Sequence, residues 1–433
     1  MRAGNYALGL SVFCLGTTEF MVSGLLPMLA SDFGISIPQA GWLISVFALT
    51  VALGAPPLTV FCLRLARKAA LVALLAVFAA GQVVAAIAPT FAWLVVARVL
   101  TALAFGPFFA VGAVAAVDLA GSALRGRAIA VMFGGLTIAN VVGVPEGAFI
   151  GAHFGWRASF WSVALFAAVA LGAVIRAVPS DVSADNRRRI DLRQEAAPFK
   201  RPIMWTALAA TALSQAALFA VFSYIAPLIT AVGEFSRAAV PPLLVLFGLG
   251  TVAGTYFGGR LADRFLKLNL LGGLAALIAV LAIFGFALHA HATAVIAVFL
   301  FGVTAFVINP GLQTEVMRQA TVAPNLASAV NISAFNVGNT VGPWLGGLLI
   351  TANYGYRSVT YLGAVLALGA LGAVFATAYM RRQVTWRRGE PEAALMRRRR
   401  PRRPPSQIGH EDHGNAGDLE SKHHGGEAWR RQR

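Results

Sequence analysis

Charged residues are scarce in this sequence: they make up 12% of its 433 residues, whereas 58% are hydrophobic. Soluble globular domains contain about 25% charged residues, so the composition excludes an ordinary soluble enzyme or binding domain. The mean hydropathy is +0.71, and apolar stretches follow one another along most of the chain. Because a bilayer core about 30 Å thick requires roughly 20 apolar residues per helix, the sequence predicts a protein that crosses a membrane many times.

Cysteines and cofactor motifs are also few. Cys14 and Cys62 are the two cysteines, and we predict them at different depths of the membrane, so they give no disulfide framework. The sequence contains no Walker-type phosphate-binding loop, which argues against an ATP-driven pump. The seven histidines lie mainly in the C-terminal tail and in the loop 289–291, without the spacing of a helical metal site. We therefore expect neither enzyme activity nor a bound metal or cofactor.

Twelve apolar stretches are long enough to span a bilayer as helices. The first is too long for the apolar core of a signal peptide and lacks a convincing cleavage site, so we expect it to be retained. The predicted fold is an all-α membrane protein. The predicted spans are 5–29, 41–62, 69–88, 91–117, 128–151, 158–178, 203–230, 241–262, 268–288, 292–314, 327–351 and 358–380.

Basic residues follow the second, fourth and eighth spans, whereas the loops after the first, third and ninth spans contain no lysine or arginine. Positive residues are retained on the cytoplasmic side, so this alternation predicts a multi-pass protein of the cell (inner) membrane with both termini in the cytoplasm. The basic residues of these loops are Arg64, Arg67, Lys68, Arg125, Arg127, Arg260, Arg264 and Lys267.

The net charge of +17 has the same explanation and does not indicate a nucleic-acid partner. Residues 381–433 contain 14 basic and 7 acidic residues, a surplus of 14 − 7 = +7. This tail has no apolar period, so we expect it to be disordered, as a solvated cytoplasmic segment or in contact with anionic lipid. The polar segment 179–202 divides the rest into helical halves at 1–178 and 203–380, in a protein that we expect to be monomeric.

The two halves repeat each other in sequence. A shift of 200 residues places 24–27 (Gly-Leu-Leu-Pro) over 224–227 (Tyr-Ile-Ala-Pro), and 154–157 (Phe-Gly-Trp-Arg) over 354–357 (Tyr-Gly-Tyr-Arg). A match that slips by one residue pairs Asn140-Val-Val-Gly with Asn339-Thr-Val-Gly. Duplicated bundles that enclose a substrate site are a transporter architecture, and a purely structural membrane protein has no evident need for one. The repeat therefore predicts two pseudo-symmetric six-helix bundles.

The segment 258–264, Gly-Gly-Arg-Leu-Ala-Asp-Arg, resembles the signature loop of the major facilitator superfamily. The resemblance implies that its glycine permits close helix approach and that its charged residues pair at the cytoplasmic gate. The first half departs from this pattern, because Leu63 stands where the second half has Asp263; Asp118 is a candidate for the missing acid. The predicted gating residues are Arg64, Asp118, Gly259, Asp263 and Arg264.

The fifth and eleventh spans are rich in glycine and proline. They resemble the antiporter motif of drug exporters, in which small residues permit tight packing and local bending. Packing is what the residues themselves support, whereas the export direction follows from the resemblance. The residues in question are Gly135, Asn140, Gly143, Pro145, Gly147, Gly342 and Pro343.

Four further segments narrow the resemblance: 17–21 (Thr-Thr-Glu-Phe-Met), 143–145 (Gly-Val-Pro), 155–161 (Gly-Trp-Arg-Ala-Ser-Phe-Trp) and 245–250 (Val-Leu-Phe-Gly-Leu-Gly). Together they resemble the twelve-helix drug:proton antiporters, particularly chloramphenicol-resistance exporters, with arabinose-efflux-like permeases as neighbours. The similarity covers residues 5–380. Glu146 and the basic tail lie outside the family pattern and leave the substrate open.

Three charged residues lie within predicted spans, where each charge costs several kcal/mol unless it is paired or hydrated. Glu19 is in the middle of the first span and is a candidate for proton or substrate coupling, against a structural hydrogen-bonding role. Arg98 matches the arginine that the superfamily carries in its fourth helix and implies an electrostatic partner; snorkelling to the outer surface is the alternative. Glu146 faces either the cavity or another helix. We predict proton coupling by all three.

The predicted function is proton-coupled export of a small, largely apolar drug by alternating access, driven by the transmembrane proton gradient, with chloramphenicol as the first candidate. A sugar or nucleoside exporter of the same fold and a non-transporting membrane sensor are the alternatives. Aromatic residues suit an uncharged ligand, although packing against lipid explains them equally well. The candidate substrate-binding residues are Phe20, Phe105, Phe108, Phe109, Phe219, Phe222 and Tyr224.

Overall fold

A computed structural model describes residues 3–62, 65–121, 124–179, 197–320 and 324–387, and these are almost entirely helical. Ten helices in this part of the chain are long and apolar enough to cross a membrane. The described residues up to Arg382 form one compact unit. The helices are α1 Ala3–Phe33, α2 Ile37–Cys62, α3 Arg67–Ala86, α4 Phe91–Ala120, α5 Arg125–Ile138, α6 Val144–Phe154, α7 Trp156–Ala177, α8 Pro202–Phe222, α9 Val240–Ala287, α10 His291–Val307, α11 Asn309–Gln319, α12 Pro324–Thr351 and α13 Ser358–Arg387.

Most of the predicted spans agree with these helices, although 203–230 continues beyond the end of α8 and 292–314 comprises α10 and the start of α11. Two further regions differ. The spans 241–262 and 268–288 form the single 48-residue α9, which contains non-helical backbone angles at Phe265 (φ −140°, ψ 62°). At 1.5 Å per residue a straight helix of this length measures about 72 Å, more than twice the bilayer core, so the break at Phe265 permits a change of direction. The 28-residue α12 is not among the ten membrane-crossing candidates of the described chain.

The helices α5 and α6 are joined by the π-helical turn Ala139–Gly143. Pro145 follows this turn and lacks a backbone N–H, so it cannot complete the ordinary helical hydrogen bond to the preceding turn. A second π-helical turn, Leu228–Val232, follows Pro227. Both wide turns therefore occur beside prolines, and the first lies within the glycine- and proline-rich motif of the fifth span.

The sequence repeat has counterparts in the backbone. Gly155 and Gly355, which match across the 200-residue shift, both have left-handed φ angles, 84° and 75°, just before a helix. Gly34 and Glu234 form another matching pair, with φ angles of 62° and 54°. Glycine adopts this conformation without strain. The second half has glutamate at the matching position and keeps the same turn, although a residue with a side chain adopts this conformation less readily.

Apolar side chains cover the outside of the molecule as well as its core. Large hydrophobic residues such as Leu53, Leu165 and Val365 are 69%, 65% and 64% exposed. A soluble protein exposes such residues singly, whereas here they occur along most of the long helices, as a lipid-facing surface requires. Inside, a continuous core of buried residues extends from α1 to α13. A separate small cluster lies around Met204 and Val316.

Candidate functional site

The carboxyl group of Glu19 lies at a contact between the two halves of the chain. Glu19 is half-buried in α1, a helix with most of its residues packed inside the protein. The amide nitrogen of Asn339 in α12 donates a hydrogen bond to Glu19 Oε1 at 3.4 Å. The structure thus places a residue of the second half against the predicted coupling acid of the first half. Asn339 was not predicted as a site residue, although its sequence match to Asn140 across the repeat marks the position.

Arg98 lies beside this contact and is enclosed by protein. Its side chain is 1% exposed, and its guanidinium donates to the carbonyl oxygens of Thr18 at 2.9 Å and Leu43 at 3.3 Å. The guanidinium also lies over the Phe47 ring, 4.1 Å from the ring centre, where the face of the ring attracts a cation. It interacts electrostatically with Glu19. Arg98 therefore does not reach the surface, and the snorkelling alternative is wrong.

Glu146 occupies a different environment from Glu19. It is half-buried in the first turn of α6. It lies near Ser162 of α7 and Cys14 of α1, whereas Glu19 accepts a hydrogen bond from Asn339 and lies within electrostatic range of Arg98. Of the three charged residues predicted for proton coupling, Glu19 and Arg98 therefore lie in one region and Glu146 in another. A coupling role for Glu146 stays a prediction.

The predicted aromatic residues form two groups. In the first, Phe20 of α1 packs against Phe219 and Phe222 of α8, with ring centres 5.6 and 5.8 Å apart. Phe222 in turn stacks on Phe247 at 4.6 Å. The hydroxyl of Tyr224 donates to the carbonyl of Pro343 at 2.8 Å. The contact of Phe20 with Phe219 and Phe222 thus joins the two halves, and Phe20 is the sequence neighbour of Glu19 in α1.

The second aromatic group lies under Arg98 and belongs to the first half. Phe105 packs against Phe47 at 5.4 Å and against Phe109 at 4.9 Å. Phe108 is fully buried, and its ring lies beside Gly112, one turn further along α4. Phe47 and Phe247, which contact the predicted residues, were missed as site residues, yet they match each other across the 200-residue shift. That match was the signal that identifies both.

Of the charged residues at the ends of the helices that carry the loop motifs, some form ion pairs in the described structure and others do not. Asp118 of α4 forms an ion pair with Arg67 of α3. Arg64 lies outside the described residues. Asp263 and Arg264 are both exposed, and the described part of the chain offers neither of them an ion-pair partner within 4.0 Å.

The buried acid at this end of the second half is Glu315 of α11, which was not predicted. Glu315 pairs with Arg381 of α13 and Arg318, and it accepts a hydrogen bond from Gln319 at 2.7 Å. The charged contact of the second half therefore lies between α11 and α13. Neither Asp263 nor Arg264 takes part in it, and their gating role stays a prediction.

One predicted gating residue is corrected by the geometry. Gly259 was expected to permit close helix approach, but a Cβ atom built there meets nothing within 4 Å in the described structure. At Gly258 the same atom lies 2.2 Å from the carbonyl oxygen of Val307. Adjacent residues of a helix point about 100° apart, so only Gly258 faces the neighbouring helix. Gly258, and not Gly259, therefore belongs with Gly250 and Gly254 to the close contact of α9 with α10.

The glycines of the fifth and eleventh spans lie at tight helix contacts. A Cβ atom at Gly135 falls 2.0 Å from the carbonyl oxygen of Gly9, and one at Gly143 falls 2.0 Å from Thr17 Oγ1. One at Gly147 lies 3.1 Å from Met21 Cβ, and one at Gly342 lies 2.4 Å from the carbonyl oxygen of Ala216. These glycines allow α1 to approach α5 and α6, and α12 to approach α8, more closely than any side chain permits.

Asn140 marks a contact of the same fifth-span region with the second half. Its amide nitrogen donates to the carbonyl of Leu136 at 3.1 Å. Its backbone carbonyl oxygen faces Gly248 of α9, where a Cβ atom would lie 2.4 Å away. Asn140 therefore contributes backbone packing between the halves.

These features define a class: an all-helical protein that crosses the membrane many times, with a polar contact between two repeated halves. The family model of the Major Facilitator Superfamily matches residues 8–325. The chain belongs to this superfamily and is a multi-pass membrane transporter.

Two curated relatives are similar over nearly their whole length. The chain is 38% identical over 372 residues to the inner membrane transport protein YdhP of Escherichia coli K12, covering 86% of this chain and 95% of the relative. It is 36% identical over 371 residues to a chloramphenicol resistance protein of Streptomyces lividans, covering 85% and 93%. The resemblance to chloramphenicol-resistance exporters is therefore confirmed as a family relationship.

The fold also matches a solved structure. A bacterial homologue of the human lysosomal transporter Spinster, in an inward-facing and unoccupied conformation, superposes with a TM-score of 0.67. The match covers 87% of this chain and 97% of that one at 18% sequence identity. At this identity the match establishes the shared fold.

Proposed function

We propose that the protein is a proton-coupled antiporter that exports a small, largely apolar compound by alternating access, with chloramphenicol or a related antibiotic as the first candidate. The observation that carries the proposal is the contact of Glu19 with Asn339, beside the enclosed Arg98. A carboxyl group inside the membrane is costly to keep and marks proton pathways in transporters. Here the carboxyl group of Glu19 lies where the two halves meet, so a change in its protonation state alters the contact between them.

The proposed architecture has twelve transmembrane helices in bundles 1–178 and 203–380. The described part of the chain contains ten candidate spans. The break at Phe265 divides α9 into two spans instead of one, and α12 adds a further span, which gives twelve. The cytoplasmic location of both termini follows the positive residues of the loops. The chain acts as a monomer, with its basic tail on the cytoplasmic side.

We further propose that the described state is inward-facing. The two halves touch at Tyr224, which packs against Gly41 and Gly347, and at Ser45, which donates to the carbonyl of Thr340 at 3.0 Å. In the proposed orientation, Tyr224 lies toward the outer side. The ion pairs of the other end, such as Arg67 with Asp118, join helices of the same half. Drug binds in this state, and proton exchange at Glu19 accompanies the return from the outward-facing state.

The aromatic group at Phe20, Phe219 and Phe222 suits an uncharged, drug-sized ligand. Such sites are lined mainly by apolar and aromatic side chains with a few polar groups that orient the ligand. Glu19 and Asn339 are the adjacent polar groups. The Streptomyces relative, named for chloramphenicol resistance, favours an antibiotic over the sugar or nucleoside alternative.

Flux into inverted membrane vesicles tests the proposal and its alternatives together. Acidification of the vesicle interior should drive uptake of labelled chloramphenicol, and a protonophore should abolish it. Labelled sugars and nucleosides form the comparison panel. Proton-driven uptake of these compounds, without chloramphenicol, would establish the metabolite exporter instead. Binding without flux of any panel member would favour a sensor.

The Arg67–Asp118 pair provides a test of the inner gate. We expect Asp118→Asn to raise the labelling rate of a cysteine at Leu65, on the same end, by up to about fivefold, since a partly exposed ion pair contributes about 0.2–1 kcal/mol. Asp32→Asn is the matched control, because Asp32 pairs with Arg157 at 2.8 Å at the other end of the first half. An unchanged labelling rate in Asp118→Asn would remove this pair from the gate.

A further inference from the structure

We propose that Asn339 is a positioning residue that senses the protonation state of Glu19 and transmits it to the second half of the transporter. The inference rests on the proposed function, because it requires that Glu19 gain and lose a proton during transport. It assigns a distinct task to a residue of α12, a helix that lies between the halves.

The hydrogen-bonding capacity of Asn339 is only half used. Its side chain is 6% exposed, so it is shielded from water. The amide nitrogen donates to Glu19 Oε1, whereas the amide oxygen is buried without a hydrogen-bond partner. A buried polar atom that lacks a partner is unfavourable, so a rearrangement that supplies a donor stabilises the protein. This state therefore contains a free acceptor next to the coupling acid.

An amide can form one hydrogen bond with a carboxylate and two with a protonated carboxyl group. The carboxylate form of Glu19 accepts only, and the Asn339 N–H donates to it. When a proton binds to Glu19, the group gains an O–H donor, and the free amide oxygen of Asn339 is the acceptor for it. One proton is taken up and an O–H···O contact forms, while the other carboxyl oxygen still accepts from the Asn339 N–H. The contact changes from one hydrogen bond to two, and Asn339 must rotate to align both.

Rotation of Asn339 affects the packing of α12 because the helix is tightly held there. The adjacent Gly338 approaches α8 so closely that a Cβ atom would lie 2.3 Å from the carbonyl oxygen of Ala212. The next residue, Thr340, accepts a hydrogen bond from Ser45 of α2 through its carbonyl. A side-chain movement at position 339 is therefore coupled to both halves. In this way the proton state reaches the interface that must open and close.

Few other charged groups face Glu19 from the helices around it. Arg98 of α4 interacts with it electrostatically, but its described hydrogen bonds go to the carbonyl oxygens of Thr18 and Leu43. On α6, Glu146 interacts instead with Cys14 and Ser162. Arg98 belongs to the first half, so it cannot carry the signal across the interface. Asn339 is the described polar side chain that contacts Glu19 from the second half.

The test uses protons alone as the ligand, so it does not depend on the identity of the drug. Spin labels at Leu65 and Leu268, which are exposed residues of the two halves, report the distance between them by pulsed electron paramagnetic resonance at acidic and alkaline pH. The background replaces Cys14 and Cys62, the two free cysteines. In the parent protein we expect the distance distribution to change with pH.

Asn339→Leu, which has a similar size and no hydrogen-bonding groups, should weaken the pH dependence of the conformational equilibrium about tenfold. Asn336→Leu is the matched control: Asn336 is equally buried on the same helix, but its amide donates to its own helix at the carbonyl of Ile332. The control should respond to pH like the parent protein. Asn339→Gln retains both groups and should restore part of the response.

Asn339→Asp covers the case in which Asn339→Leu does not fold. Two facing carboxyl groups share a proton, so this variant should displace the pH of the transition by about one unit or more, whereas Asn336→Asp should not. A parent-like pH response in Asn339→Leu or Asn339→Asp would overturn the inference while leaving proton coupling intact. A parent protein that does not respond to pH would overturn both the inference and proton coupling. Absence of chloramphenicol flux would affect only the substrate assignment.

Discussion

Glu19→Gln is expected to abolish proton-driven uptake of chloramphenicol into inverted vesicles, reducing it to the level of vesicles without the transporter. Glutamine retains the size and hydrogen-bonding ability of a protonated glutamate, but it cannot release or bind a proton. The hydrogen bond from Asn339 can still form, so the halves should assemble normally. Uptake is measured with membranes that contain equal amounts of parent and variant protein.

Downhill exchange of chloramphenicol distinguishes loss of coupling from loss of the protein. Glu19→Gln should still equilibrate the drug across the membrane, because drug binding and the movement of the halves do not require a net proton transfer. Glu234→Gln is the control, since it makes the same substitution at an exposed residue of a loop. Full gradient-driven uptake by Glu19→Gln would exclude Glu19 from the coupling mechanism.

Gly135→Ala is expected to destabilise the protein by about 1–3 kcal/mol, the usual cost of overpacking a tight contact. The added Cβ atom would lie 2.0 Å from the backbone carbonyl oxygen of Gly9. A backbone atom cannot rotate away, so α1 and α5 must separate. Because α1 also carries Glu19, transport should fall together with stability. Thermal unfolding of the purified protein in detergent measures the first effect.

Gly134 supplies a control one residue away on the same helix. A Cβ atom at Gly134 meets nothing within 4 Å in the described structure. Alanine favours a helix over glycine by up to about 1 kcal/mol, so Gly134→Ala should be neutral or stabilising. The two substitutions thus have opposite expected signs. If both variants unfolded at the temperature of the parent protein, the close packing of α1 on α5 would be refuted.

The all-helical membrane class of the fold could be predicted from the sequence, because it depends on composition and on local features. Twenty apolar residues in succession leave few structures other than a spanning helix. The left-handed turns at Gly155 and Gly355 follow directly from the repeated motif that contains them. The sequence did not predict that α9 continues as one bent helix through Phe265, because a polar loop and a bent helix have similar compositions.

Individual site residues could be predicted where a charged side chain within a span is energetically costly. A glutamate or arginine within a span is conspicuous, and the structure places Glu19 and Arg98 together. Asn339 was missed because asparagine is not costly enough in a span to stand out, and its importance arises from a partner 320 residues away. The ion pair of Glu315 with Arg381 also depends on tertiary packing between distant helices.

Residue type alone also cannot decide which neighbouring glycine faces a helix. The motif includes both Gly258 and Gly259, and only the rotation of α9 against α10 identifies Gly258 as the close contact. The aromatic residues present a similar case. Phenylalanine is equally suited to lipid, core and ligand, and only packing separates the Phe20 group from the group around Phe105.

The most direct test of proton-coupled antiport is proton movement driven by drug alone. Purified protein is reconstituted into liposomes at equal pH on both sides, and a chloramphenicol gradient is imposed while a trapped dye records the internal pH. The proposed mechanism predicts that protons move against the direction of the drug, and that Glu19→Gln eliminates this movement. Equilibration of chloramphenicol through the parent protein without any change in internal pH would contradict it.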